Sequence, residues 1–178
     1  MAIRWTDATP ALQLPALPED PAAAPRTQGV ADVWISPEVD RQVMAHLRAH
    51  DVEQGGLLVG QAFVDRRDGA VAHVRVVGCA AAGDAHGTAF SLRMGSGVWQ
   101  AAQALLGPGD LIVGWYHSHP GLTAFFSDTD RQTQRAFVNH TYSVGRVIDP
   151  VGGGEALFLG GKCAVVQRGR DGLPQPAG

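Results

Sequence analysis

Beyond about residue 30 the apolar positions follow two rhythms, one of period two and one near 3.6 residues, that alternate along the chain. A short apolar run, ADVWI, ends at Ser36-Pro37, which reads as a helix start with serine as N-cap and proline in the first turn. The helix that follows sets Val39, Val43, Met44 and Leu47 on one face and Asp40, Arg41 and Arg48 on the other, and is expected to end near Asp51. EQGGLLVGQAFV then reads as a strand whose paired glycines permit close backbone approach. After a turn at Arg66–Gly69, Ala72, Val74 and Val76 alternate with His73 and Arg75, the pattern of a half-buried strand. Residues 80–92 are small and glycine-containing and read as a loop. A helix is expected from Gly95 to Leu106 with Val98, Ala101, Ala102 and Leu105 inward, stopped by Gly107-Pro108-Gly109. LIVGWYHSH has the continuous apolar character of a central strand, another helix starts at Ser127, and SVGRVID, EALFLGG and CAVVQR supply three last strands. The order βαββαβαβββ predicts a single α/β domain, a mixed β-sheet flanked by helices, over residues 30–169.

The flanks differ in composition. Residues 1–29 hold five of the eleven prolines and many alanines, which predicts a flexible arm able to dock through Trp5, Leu12, Leu14 or Leu17. Residues 170–178 read as a flexible tail. Formal net charge is -3 with no basic cluster, which argues against nucleic-acid binding and against charge-driven membrane binding. Neither a signal-peptide core nor an apolar run of bilayer length is present, so the expected location is cytoplasmic. Cys79 and Cys163, far apart and outside any CxxC, are expected to be buried free thiols.

Chemistry concentrates in His117-Ser118-His119-Pro120, six residues, and then Ser127-Asp128-Thr129-Asp130. Histidines at i and i+2 on a strand project to one face, so both imidazoles reach one metal ion. Pro120 turns the chain, and Asp130 in the first turn of the next helix returns to that ion. By itself, HxH at a strand end is ordinary polar punctuation, and Ser-x-x-Asp is an ordinary capped helix start. Together, two imidazoles and a carboxylate form a donor set that leaves a fourth tetrahedral position open, as catalytic zinc requires. Ser118 lies outside any GxSxG and does not read as a nucleophile. His46, His50, His73 and His140 lack ligand spacing and read as surface or hydrogen-bonded polar residues.

HSHP-x6-SDTD resembles the JAMM motif of the MPN+ (JAB-domain) zinc metalloproteases, HxHP-x6-SxxD, and the resemblance extends over about residues 33–167. Glu53 in VEQGGLLVG resembles the family's upstream glutamate; LIVGWYHSHP and VIDP match further family features, and the TAF of GLTAFF is similar to the AMSH-like deubiquitinases. The resemblance implies a cytidine-deaminase-like layered fold, with zinc held by His117, His119 and Asp130. It implies Glu53 as the proton carrier for the attacking water and Ser127 as hydrogen-bond donor to the tetrahedral oxyanion. In such deubiquitinases a segment near residues 80–95 clamps the ubiquitin tail, which makes His86, Thr88 and Phe90 the candidate substrate contacts. The AMSH-type second zinc site has no counterpart in NHTYSVGRVIDPVGGGE, so one Zn2+ per chain is expected. Implied partners are a ubiquitin-like protein and its conjugates, with E1- and E2-like enzymes of the same operon, some such systems being antiphage. The alternatives are a peptidase trimming a sulfur-carrier protein and, in another class, a non-catalytic MPN scaffold.

Overall fold

The computed structural model describes residues 12–19, 30–83 and 95–171. Seven strands and three helices follow the expected order: β1 (Asp32–Ile35), α1 (Pro37–Leu47), β2 (Gly55–Val64), β3 (Val71–Ala81), α2 (Ser96–Ala104), β4 (Leu111–Ser118), α3 (Asp128–Phe137), β5 (Val144–Ile148), β6 (Glu155–Leu159) and β7 (Ala164–Arg168). The strands form one mixed sheet in the order β1-β3-β2-β4-β5-β6-β7, and a short parallel pairing of Asp32 with Gln167 and Val33 with Arg168 closes it into a barrel. That closure joins the two ends of the domain and leaves neither outer strand of the sheet unpaired.

Both faces of β2 are covered. Leu58 belongs to an apolar cluster with Val39, Val43 and Leu47 of α1, while Leu57 and Val59 belong to a second cluster with Val98 and Ala102 of α2. This is why GGLLV reads as a continuous apolar run. Gly56 is needed for contact: a Cβ there would lie 2.1 Å from the carbonyl oxygen of Ala80. The antiparallel register of β2 on β4 sets Gly55 opposite His117, so the chain just before β2 arrives beside the HSHP segment.

Several expectations change. Helix α1 is capped as anticipated, Ser36 Oγ accepting from the Val39 amide at 3.2 Å, but it ends at Leu47 rather than near Asp51. The Ala49 amide bonds back to the His46 carbonyl, which tightens the last turn and releases the chain toward β2. Only Val98 and Ala102 of α2 are buried, whereas Ala101 and Leu105 are exposed, because a helix of nine residues meets the sheet on a single narrow stripe. His73, expected on the polar side of β3, is fully buried. Its strand is sandwiched between β1 and β2, and the carboxylate of Asp32 on β1 bonds its Nδ1. Within the expected flexible arm, Pro15 to Leu17 run alongside the end of β2: the Val64 amide donates to the Pro15 carbonyl at 3.0 Å and the Leu17 amide to the Val64 carbonyl at 2.9 Å. Leu14 packs against the α1-side core, so it and these main-chain bonds attach a segment whose composition alone suggested disorder. No helix among the described residues is long and apolar enough to cross a membrane.

Candidate metal centre

Strand β4 delivers two imidazoles. It is internal, antiparallel to β2 and parallel to β5, and the His119 amide bonds the Ile148 carbonyl at 2.9 Å just past the strand's end. The indole of Trp115 stacks on the His117 ring with centroids 4.5 Å apart and planes 10° apart, which fixes that ring's plane. His119 is flanked by Phe125, centroids 5.0 Å apart.

Helix α3 delivers the carboxylate. Ser127 and Asp130 form a reciprocal capping box: the Asp130 amide donates to Ser127 Oγ at 3.2 Å, and the Ser127 amide donates to Asp130 Oδ2 at 2.7 Å. The Ser127 hydroxyl also donates to Asp130 Oδ2, at 2.7 Å. These bonds orient the carboxylate toward β4, so the helix start and the metal-ligand reading describe one and the same arrangement.

Asp130 Oδ1 lies 3.2 Å from His117 Nε2, and Asp130 Oδ2 lies 3.5 Å from His119 Nε2. Tetrahedral zinc with bonds of about 2.0–2.1 Å sets its donors about 3.3 Å apart. Each imidazole-to-carboxylate separation therefore matches such an ion, and the three ligand atoms lie within 4.8 Å of one another. One polar atom supports the fit: His117 Nε2, which faces Asp130, is buried without a hydrogen-bond partner, a costly arrangement unless an ion takes up its lone pair. Among the described residues, His117, His119 and Asp130 are the one group of three His, Cys, Asp or Glu side chains close enough to share an ion.

The electrostatics of the two imidazoles differ. Burial holds His117 below the ordinary histidine value, so its imidazole is neutral and has a lone pair to give. Hydrogen bonding to Asp130 raises His119 despite burial. Burial opposes charging Asp130, but His117, His119 and Ser127 together hold its carboxyl well below the usual carboxylate range. Glu53 stands apart from the donors, 3.8 Å from His119 Nε2, and burial raises its carboxyl above the ordinary glutamate value. A cavity of about 70 Å³ opens here, lined by Glu53, both histidines, Ser127, Asp130 and the side chains of Leu122, Phe125, Thr129 and Thr133.

The structure thus brings Glu53, His117, His119, Ser127 and Asp130 together; His86, Thr88 and Phe90 lie outside the described residues. The other described histidines are engaged elsewhere or exposed. His46 Nδ1 is 2.9 Å from the Tyr116 hydroxyl, His140 stacks on Tyr142, and His50 is on the surface. Cys79 and Cys163 are free thiols, the first half-buried and the second buried.

Three supporting residues escaped sequence reasoning. Gln134, fully buried, accepts from Trp115 Nε1 and donates to the Ser143 carbonyl at 2.9 Å, bracing α3 against β4 and β5. Its signal was its place one helical turn after Asp130, on the same face. Asp149 of VIDP accepts from the amides of Gly121, Thr123, Val151 and Gly152 at 2.9–3.2 Å. These bonds hold its carboxyl down to about 2 and hold the loop after HSHP, where Thr123 is kept at φ 69°. Ser118, between the histidines, accepts from the Gln54 amide at 3.0 Å. Asp149 bonds Val151 and Gly152 locally, but its hold on Gly121 and Thr123, 26 to 28 residues away, and the Ser118 bond to Gln54, 64 residues away, left no local pattern.

Known proteins share this frame. Over 125 residues the chain is 34% identical to Ubiquitin carboxyl-terminal hydrolase RPN11 of Saccharomyces cerevisiae, a match covering 67% of this chain and 39% of that protein. Over 137 residues it is 32% identical to 26S proteasome non-ATPase regulatory subunit 14 of Drosophila melanogaster, covering 74% of this chain and 42% of that one. The chain therefore spans about two-fifths of the length of these relatives. A solution structure of a Desulfitobacterium hafniense protein has a similar fold, with TM-score 0.58 and 21% identity over 79% of this chain and 94% of that one. Residues 36–158, which contain all five residues gathered at the cavity, match the prokaryotic homologs of the JAB domain, and the chain belongs to that family.

Proposed function

We propose that this chain is a zinc-dependent peptidase or isopeptidase that cleaves the amide bond at the C-terminus of a ubiquitin-like protein, releasing it from a target or precursor. The observation that carries this reading is the convergence of His117 Nε2, which has no hydrogen-bond partner, and His119 Nε2 on the Asp130 carboxylate, with Glu53 adjacent but separate. Similarity to a ubiquitin carboxyl-terminal hydrolase supports the substrate class.

His117, His119 and Asp130 would hold Zn2+, which supplies Lewis acidity for a carbonyl and for water at neutral pH. Glu53 takes the proton of the attacking water and returns it to the leaving amine; its raised pKa makes it a better base for the first transfer. Ser127 sits at the same wall of the cavity, and turning its hydroxyl from Asp130 to the substrate oxygen makes it an oxyanion donor. Leu122 and Phe125, 55% and 47% exposed, offer apolar contact at the rim and exclude water once substrate is bound. The presence of Glu53 beside a complete donor set favours an enzyme over a scaffold, which would have no use for a proton carrier.

The test is cleavage of ubiquitin-like proteins bearing a C-terminal fluorogenic amide, with and without chelator, by the wild-type chain and Glu53→Gln. Expected is chelator-sensitive release in the wild type and a loss of about 10²–10⁴-fold in the variant, with zinc content unchanged. A variant that cleaves as fast as the wild type removes Glu53 from this role. Cleavage confined to sulfur-carrier proteins in such a panel would reassign the substrate while leaving the chemistry in place.

A further inference from the structure

Antiparallel strands exchange both main-chain hydrogen bonds at each hydrogen-bonded pair. Apart from a register shift between Leu58 and Val59, the ladder between β2 and β4 departs from that rule at its Gln54 end. At Gln54 opposite Ser118, just beyond the pair Gly55–His117, the Ser118 amide donates to the Gln54 carbonyl at 2.9 Å as expected. The return bond does not go to the Ser118 carbonyl; the Gln54 amide donates instead to the Ser118 hydroxyl oxygen, at 3.0 Å. Ser118 is fully buried and Gln54 is 5% exposed, so water does not serve either group. The Gln54 side chain folds back and donates to the Glu53 carbonyl at 3.1 Å, which closes a small hydrogen-bonded unit around the Glu53 main chain.

The consequence falls on Glu53. A regular ladder would carry the chain straight on, with Glu53 opposite His119 as another strand pair. Substituting a side-chain oxygen for the carbonyl ends the strand there, while fixing the residue that follows Glu53. From that fixed point the Glu53 side chain reaches to 3.8 Å from His119 Nε2, at the mouth of the cavity. We infer that Ser118 is a positioning residue for Glu53: its hydroxyl, directed away from the two imidazoles that flank it in sequence, sets where the carboxylate stands relative to them. The inference deepens the hydrolase reading above and rests on it for its catalytic consequence, though not for its geometry.

Ser118→Ala removes the acceptor and Ser118→Thr retains it. Amide hydrogen exchange of the metal-free chain reads the geometry alone. In Ser118→Ala the Gln54 amide is expected to exchange at least about 10-fold faster, with Leu57 and Trp115 amides unchanged. In the fluorogenic assay, kcat is expected to fall about 10²-fold with KM within about 2-fold, since a displacement near 1 Å carries that penalty. Ser118→Thr should restore kcat to within about 3-fold, and Ser118→Ala in a Glu53→Gln background should cost less than about 2-fold more. The inference is overturned by unchanged Gln54 exchange, by penalties of the two variants that multiply, or by a threonine variant that folds but does not recover. Should the wild type cleave no member of the panel, the hydrolase reading fails, and Gln54 exchange alone still decides whether Ser118 holds this corner.

Discussion

Gln134→Leu tests whether the metal-ligand helix is held on the sheet by one buried amide. In the folded chain the Gln134 carbonyl oxygen accepts from Trp115 Nε1, and its NH2 donates to the Ser143 carbonyl at 2.9 Å and, over a longer 3.4 Å, to the Gly160 carbonyl. Leucine has a similar volume and neither group. The Ser143 carbonyl keeps the Gly160 amide as a donor at 2.8 Å, so it loses one of two bonds, a net cost of about 0.5–1.5 kcal/mol. The Trp115 donor, in a side chain only 1% exposed, is stranded, which costs about 1–3 kcal/mol. The added apolar burial of leucine offsets roughly 1 kcal/mol. A net destabilisation of about 2 kcal/mol follows, or a fall in Tm of about 4–8 °C for a domain of this size. Urea unfolding followed by tryptophan fluorescence and circular dichroism measures it. Adding Trp115→Phe removes the stranded donor, so the double variant should be more stable than the sum of the two single losses predicts, by about 1–2 kcal/mol. A Gln134→Leu change below about 0.5 kcal/mol, or strict additivity in the cycle, would refute the brace.

Two further predictions concern Asp149 and the metal. Asp149 has its carboxyl at about 2, below the ordinary 3.8, so its stabilising effect is complete above about 3.8 and lost as pH falls from there through about 2. The gap in urea midpoint between wild type and Asp149→Asn should therefore be constant from pH 7 to 5 and narrow below pH 4, and a pH-independent gap would refute the assignment. Zinc at about 100 times its Kd should stabilise the chain by about 2.7 kcal/mol, raising Tm by about 5–10 °C, and His119→Ala should abolish the shift. Elemental analysis should give one zinc per chain; two would overturn the single-site reading.

Sequence alone determined what is local. The spacing of His117 and His119 on a strand, and of Ser127 and Asp130 in a first helical turn, needs only the periods of strand and helix, and the structure brings each imidazole within 3.2–3.5 Å of the Asp130 carboxylate. The element order was legible for the same reason, each segment's apolar period being a property of its own residues. Glu53 was legible through resemblance, not geometry: nothing in VEQGG by itself directs a carboxylate toward a histidine 64 positions later. What decided its place was the register of β2 on β4, which sets Gly56, where a Cβ would lie 2.7 Å from the Tyr116 ring, opposite Tyr116 and Gly55 opposite His117. Tertiary structure likewise decided the burial of His73, which requires Asp32 on a neighbouring strand, and the exposure of Leu105, which has no sheet beneath it. Closure of β1 on β7, the Gln134 brace and the Gly121 and Thr123 amides on Asp149 join segments distant in sequence. Periodicity carries no signal for such contacts, because a hydrogen-bond partner supplied by another part of the chain leaves no trace in the spacing of a residue's own neighbours.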